Sequence, residues 1–332
     1  MSDAPDDAGP DDTAPPHKTS LRRRRADFDA RAQAARHDIE NQLRQGKARL
    51  DERNQRLTAR TGRNLPAAIA VGVGLGVAVL LSLVLVKALF MIVAAALIGS
   101  LCFELASALR FAGRDVPRLP SVVVGVAIVP AAFYGGASGQ WLALLGGIAL
   151  VTVWRLVELV RPSHRASAAT IVKDIGAGAF VQIYCSFLGS FMVLLAAQPD
   201  GQWWTLASLI IVIAVDTGAY ATGLSFGKHP MAPRISPKKT WEGFAGSVAA
   251  SLIAAVLLSA FMLHEPWYFG FLLGGVIILT ATLGDLSESL IKRDLGIKDI
   301  STWLPGHGGF LDRLDSTLPS AVAAYALYLV FA

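Results

Sequence analysis

From Pro66 onward one apolar run follows another, and this succession restricts the chain to a helical membrane fold. Inside a hydrocarbon layer every backbone N–H and C=O must find a partner within the protein, and a helix satisfies them within one segment. Nine runs are expected to span, at residues 67–86, 88–109, 119–135, 140–160, 175–197, 203–225, 243–263, 267–291 and 314–331. The shortest, near 17 residues, sit at the lower limit for crossing a hydrocarbon core. Composition agrees, with 53% of the 332 residues hydrophobic and 17% charged, a balance rare in soluble domains. The expected class is all-α, a polytopic integral membrane protein.

Charge placement tests that count. With the N-terminus cytoplasmic, the inside loops hold Arg110, Arg114 and Arg118, then Arg161, Arg165 and Lys173. The next two hold Lys228, Arg234, Lys238 and Lys239, then Lys292, Arg293, Lys298 and Arg313. The outside loops, "GGASG", "QPDGQ" and "LHEPW", contain no Lys or Arg, and Lys87 is the sole exception to the alternation. This is the bias expected when basic loops stay inside.

Residues 1–64 form a separate arm. Residues 1–66 hold 14 of the 30 Lys and Arg and 11 of the 25 Asp and Glu, so the net charge of +5 is no single basic patch. No nucleic-acid partner is expected. The first 20 residues are rich in Asp, Pro and Ala and have nothing to bury, which predicts disorder. "LRRRR" at 21–25 suits anionic headgroups and equally suits a solvated charge run. Ile39, Leu43, Leu50 and Leu57 fall near heptad spacing, a weak helical signal that Gly46 and Arg53 interrupt. Cys102 and Cys185 both lie in apolar runs, and no disulfide is expected.

The chemistry concentrates in two inside loops, "FGKHPMAPRISPKKTWE" at 226–242 and "KRDLGIKDISTWLPGHGGFLDR" at 292–313. Beside them, Asp216 and Asp285 lie within apolar runs, where a carboxylate is expensive and is functional or paired by default. Asp285, Ser289 and Lys292 share one helical face at i, i+4 and i+7. Asp312 and Asp315 open the last run, where acids also suit a helix N-terminus. Carboxylates brought together from two helices are the oxygen ligands Mg²⁺ prefers. Lys238, Lys239, Lys292, Arg293, Lys298 and Arg313 suit phosphate, and the glycines at 306, 308 and 309 let backbone approach an anion. Topology alone also accounts for inside bases. Glu104, Arg155 and Glu158 are intramembrane charges too, and Arg155 with Glu158, at i and i+3, reads as a structural pair. Acids for a metal and bases for phosphate point to phosphoryl or nucleotidyl transfer at the membrane surface.

The segment "SLIKRDLGIKDISTWLPGHGGFLDRLD" at 289–315 resembles the signature of the phosphatidate cytidylyltransferases, or CDP-diacylglycerol synthases. Every fixed position of that signature is present: Ser289, Lys292, Arg293, Lys298, Asp299, Pro305, His307, Gly308, Gly309, Asp312, Arg313 and Asp315. "DTGAY" from Asp216 and "SPKKTWEG" from Ser236 resemble the family as well. The resemblance implies an often homodimeric, multi-span enzyme of the cell (inner) membrane, with its site facing the cytoplasm. It joins CTP and phosphatidate into CDP-diacylglycerol and pyrophosphate. It implies Mg²⁺ with a potassium-type ion at Asp285 and Asp312, with Lys292 completing the catalytic set. Lys292, Arg293 and Arg313 are then expected on substrate phosphates, with Ser236, Lys238, Lys239 and Thr240 on the CTP triphosphate or the loop that closes on it. Asp216, Ser289 and His307 complete the expected substrate-binding set. Two rivals are a CTP-dependent polyprenol or phytol-type lipid kinase, disfavoured by "HGGFLDRLD", and a transporter, disfavoured because no internal repeat is visible.

Overall fold

The computed structural model describes residues 65–332 except 234, 302 and 304–307, with side chains from residue 72 onward. The arm at 1–64 lies outside the described residues, as does His307. The described chain is helical almost throughout. Helix α1 spans Leu65–Leu85, α2 Lys87–Phe111, α3 Arg118–Glu158 and α4 Ala168–Ala197. They are followed by α5 at Gly201–Phe226, α6 at Trp241–Leu263, α7 at Phe269–Asp294 and α8 at Leu311–Phe331. Seven of these, α2 to α8, are long and apolar enough to cross a membrane.

Helix α3 is a hairpin rather than one rod. A straight helix of 41 residues would run about 62 Å, twice a hydrocarbon core. Gly136 breaks it with φ 59° and ψ −152°, a conformation open to glycine and costly to residues with a Cβ. Beyond the break the chain returns along itself: a Cβ on Gly139 would fall on the Ala131 carbonyl, and one on Gly147 would fall on Val124. The two runs expected at 119–135 and 140–160 are the arms of this hairpin.

Two apolar cores organise the bundle. Leu101, Leu105, Ile128, Val193 and Leu194 centre the first, between α2, α3 and α4. Trp204, Ile211, Leu273 and Ile277 centre the second, between α5, α6 and α7. Helix α8 joins them, giving Leu318 and Ala321 to the first and Ala324 to the second. Cys102 and Cys185 are buried free thiols, as expected.

The polar interior departs from the sequence reading in one place. Arg155, 1% exposed, does not pair with Glu158. Its guanidinium donates to Asp174 Oδ2 on α4 from Nη2 at 2.8 Å and Nε at 3.1 Å. Glu158 instead accepts from Trp154 Nε1 at 3.0 Å. A buried guanidinium needs a fully desolvated carboxylate beside it, and Asp174, also 1% exposed, meets that need better than a neighbour at the helix end.

The expected loop at 226–242 contains a small antiparallel hairpin, β1 at Pro230–Ala232 and β2 at Ser236–Thr240. Glu242 closes its base, accepting from the backbone N–H of Lys228 at 3.1 Å and of His229 at 3.2 Å.

Candidate active site

The chemistry-bearing face of α7 projects Asp285, Glu288, Ser289 and Lys292 on successive turns. The Lys292 ammonium lies 2.5 Å from Glu288 Oε2 and donates to Asp312 Oδ1 at 3.0 Å. One cation thereby ties α7 to the start of α8. Asp312 Oδ2 accepts from Gly309 N at 2.8 Å and from Ile300 N at 3.2 Å. The turn before it uses a left-handed Gly308, φ 82°, which residues with a Cβ adopt only at a cost.

The β1–β2 hairpin brings its bases to the same place. Lys239 forms an ion pair with Asp285. Arg293 Nε donates to the Ile235 carbonyl at 3.2 Å and fastens the hairpin to α7. Ser236 opens β2 half-buried, and Lys238 is exposed. Thr240 Oγ1 accepts from Gly243 N at 3.1 Å, so this hydroxyl, expected at a phosphate, caps α6.

Asp216 of α5, Asp285 of α7 and Asp315 of α8 lie close enough for their charges to interact, with Lys239 among them and Arg313 near Asp216. The approach of α7 to α8 depends on Gly284, where a Cβ would fall on the Asp315 carbonyl and lie 2.8 Å from Pro319. The site thus gathers Asp216, Asp285, Glu288, Asp312 and Asp315 against Lys239, Lys292 and Arg313. Carboxylates from three helices thus meet beside cations suited to phosphate.

The donor chemistry fits Mg²⁺. The oxygens are hard carboxylates, and Mg²⁺ takes only one or two of them when phosphates and water complete its shell. Glu288 Oε1, moreover, is buried without a hydrogen-bond partner among the described residues. Asp285 and Asp312, expected as the metal pair, have different companions here: Lys239 holds the first, while Lys292 and two backbone amides hold the second. Among the described residues, the group with three ligating atoms within 4.8 Å of one another lies elsewhere, at Asp115, Glu158 and His164.

Three residues of this region were given no role at the site by the sequence reading. Glu104 of α2, 1% exposed, accepts from Phe310 N at 3.0 Å, Leu311 N at 2.9 Å and Ser301 Oγ at 2.5 Å. It anchors the signature segment from another helix, and Gly309 leaves it room: a Cβ there would meet Glu104 Oε2 at 2.8 Å. Its cost inside an apolar run was a visible signal, but its partners lie some 200 positions away. Glu288 stood in plain view within "LGDLSES", one position from Ser289. Tyr184 lies in a π-helical stretch of α4, Gln182–Phe187, a distortion frequent at functional sites. Its hydroxyl is buried and unpartnered among the described residues, within electrostatic reach of Asp315, Glu288 and Asp285. "QIYCSF" reads as an ordinary apolar run.

The helical membrane scaffold and a carboxylate–lysine site define a class: membrane-embedded proteins equipped to handle phosphates. The comparisons sharpen it. Residues 66–331 match the Cytidylyltransferase family, and the chain belongs to that family. It is 40% identical over 273 residues to a phosphatidate cytidylyltransferase of Mycobacterium bovis, covering 81% of this chain and 89% of that one. Its identity to the Mycobacterium leprae protein of the same name is 38% over 278 residues, 81% of this chain and 89% of the relative. The chloroplastic phosphatidate cytidylyltransferase 4 of Arabidopsis thaliana is 31% identical over 238 residues, 64% of this chain and 58% of that protein.

Proposed function

We propose that this protein transfers the cytidylyl group of CTP to phosphatidate, giving CDP-diacylglycerol and pyrophosphate for phospholipid synthesis. A phosphatidate oxygen attacks the α-phosphorus of CTP in line; the bond from that phosphorus to the bridging oxygen breaks, and pyrophosphate leaves with the electron pair. The attacking phosphate is already an anion, so positioning and charge neutralisation carry the catalysis rather than a strong base. The observation that carries this reading is the meeting of Lys239, from the hairpin, with Asp285, on α7, in a chain 40% identical to a phosphatidate cytidylyltransferase.

In this reading Asp285 and Asp312 hold Mg²⁺, with a potassium-type ion beside it, and Asp216 adds negative charge to the same cavity. Bound there, Mg²⁺ supplies charge neutralisation to the triphosphate. Lys239 exchanges Asp285 for a CTP phosphate, and Lys238 and Ser236 line the same hairpin edge. Lys292, kept in place by Glu288 and Asp312, meets substrate phosphate together with Arg293 and Arg313. Ser289 lies on the same face of α7, and His307, outside the described residues, completes the substrate-binding set in this reading. The chain crosses the cell membrane nine times, counting α1 and both arms of α3, with its N-terminus and site at the cytoplasmic side, and it works as a homodimer.

The test uses purified protein, phosphatidate, Mg²⁺ and CTP labelled separately at the α- and γ-phosphates. Label from the α position in lipid, with γ label released as pyrophosphate, is the expected result. Label from the γ position in lipid would make it a kinase and refute the reading.

A further inference from the structure

A groove of about 680 Å³ runs along the outer face of α6 and α7. Its upper lip is Met231, Ala232 and Trp241, so the hairpin that carries Lys239 also builds this entrance. Leu286, the residue after Asp285, lines the same end, and Phe271 lines the far end. Those two positions are fifteen residues apart on α7, about 22 Å at the helical rise. Val248, Leu252, Ile278 and Leu279 wall the groove, and Thr282 supplies the one hydroxyl among its lining residues. Leu279 and Phe271 remain 60% and 51% exposed, so no other helix among the described residues covers this face.

We infer that this groove holds an acyl chain of the lipid substrate and that Gly275 gauges its length; the inference rests on the phosphatidate reading above. A lipid phosphate seated among Lys292, Arg293 and Arg313 releases its chains beside Leu286, at the head of the groove. Gly275 lies ten residues from Asp285, about 15 Å along α7. A chain whose phosphate is fixed beside Asp285 therefore passes Gly275 about 15 Å from its head. A Cβ at this glycine meets nothing within 4 Å, so the backbone leaves an open channel where any larger side chain would stand in the path of the chain. A freely exchanging bilayer lipid would have no reason to respect that position; a substrate fixed by its phosphate does.

The test compares dioleoyl- and dioctanoyl-phosphatidate in mixed micelles for wild type, Gly275→Trp and Gly275→Leu. Both substitutions replace a mid-helix glycine and favour the helix, and neither meets a neighbouring atom at Cβ. Gly275→Trp is expected to lower kcat/KM for the dioleoyl lipid about tenfold, mostly through KM, the equivalent of about two buried methylenes. Turnover of the dioctanoyl lipid stays at the wild-type level, and Gly275→Leu shows a smaller shift in the same direction. Gly146→Trp is the control: Gly146 is also exposed with nothing within 4 Å of its Cβ, but lies on α3 outside the groove, and its chain-length preference stays wild-type. Equal losses on both lipids, or an unchanged ratio in Gly275→Trp, would overturn the inference. Spontaneous cross-linking of a Gly275→Cys protein to a second copy would overturn it too, because a partner chain would then cover the groove. A wild type that converts neither lipid would refute the underlying reading instead.

Discussion

Replacing Glu104 with Gln tests how the signature segment is held. The Glu104 carboxylate accepts Phe310 N at 3.0 Å through Oε1 and Leu311 N at 2.9 Å through Oε2. Glutamine keeps one carbonyl oxygen and turns an NH₂ toward the other amide. The variant loses a charge-assisted bond worth about 1.5–3 kcal/mol and strands a buried donor at about 1–3 kcal/mol. The two overlap, and about 3 kcal/mol is the combined expectation. Leu311 belongs to the first core and Phe310 packs against it, while the second core lies elsewhere, so the loss falls on the start of α8 and the part of the first core that receives it. At 1.4 kcal/mol per tenfold, amide exchange at Phe310 and Leu311 should accelerate roughly a hundredfold. Exchange at Ile211, inside the second core, should hold its wild-type rate. Turnover should fall at least tenfold, because Asp312 hangs from the same turn through Gly309 N. Gly309→Ala, which drives a Cβ into Glu104, should produce the same exchange pattern, and combining the two should add little. A folded Glu104→Gln protein with unchanged exchange at Phe310 and Leu311 would refute the reasoning.

Asp285→Asn and Asp312→Asn should each keep the protein folded and lower Mg²⁺-dependent turnover by about 10³-fold, the scale of losing a preorganised electrostatic group; wild-type kinetics in either would remove that residue from the metal assignment. Tyr184→Phe deletes a hydroxyl that has no partner among the described residues, so thermal stability should hold while kcat/KM drops about tenfold, a hydrogen bond's worth; a matching drop in melting temperature with unchanged kinetics would make the hydroxyl structural. Asp174→Asn leaves the Arg155 guanidinium buried without its counter-charge and should cost about 3–5 kcal/mol, read as a lower unfolding midpoint in detergent; an unchanged midpoint would show that Asp115, 3.6 Å from Arg155, suffices alone.

What the sequence made legible follows from how local each cause is. Apolar length marks a helix wherever it occurs, so the long helices could be read directly. The turn at Gly136 was legible as "GGASG", because glycines between two apolar runs need no distant partner to be recognised. Asp285, Lys292 and Asp312 stood out as candidates because charge near a membrane is scarce, and the first two share a helical face at i and i+7. The contacts that position them were not. Arg155 found Asp174 on the next helix instead of Glu158 one turn away, since burial on two helices rewards a partner that packing brings, not one that period supplies. Lys239 reaches Asp285 across 46 positions, and Glu104 reaches Leu311 across 207. Periodicity carries no information at such separations. Tyr184 was invisible for a different reason: a π-helical turn changes which way a side chain points without changing the composition of the run.

The distribution of these groups over the fold bears on how the site would work. The acids stand on packed helices: Gly284 seats α7 against the Asp315 backbone, and Glu104 pins the start of α8. Lys239 instead rides on a five-residue strand attached to α7 through Arg293 and one carbonyl. Fixed carboxylates and a movable ammonium are a sensible division for nucleotidyl transfer. A cation socket has to be preorganised to be worth anything electrostatically, whereas the lysine that guards it must yield when a triphosphate arrives and hold the pyrophosphate only until it leaves. If the hairpin were rigid, the Lys239–Asp285 pair would compete with the metal at every turnover. In the proposed reading the arriving triphosphate draws Lys239 off Asp285, while Met231 and Ala232 of the same hairpin line the groove beside it.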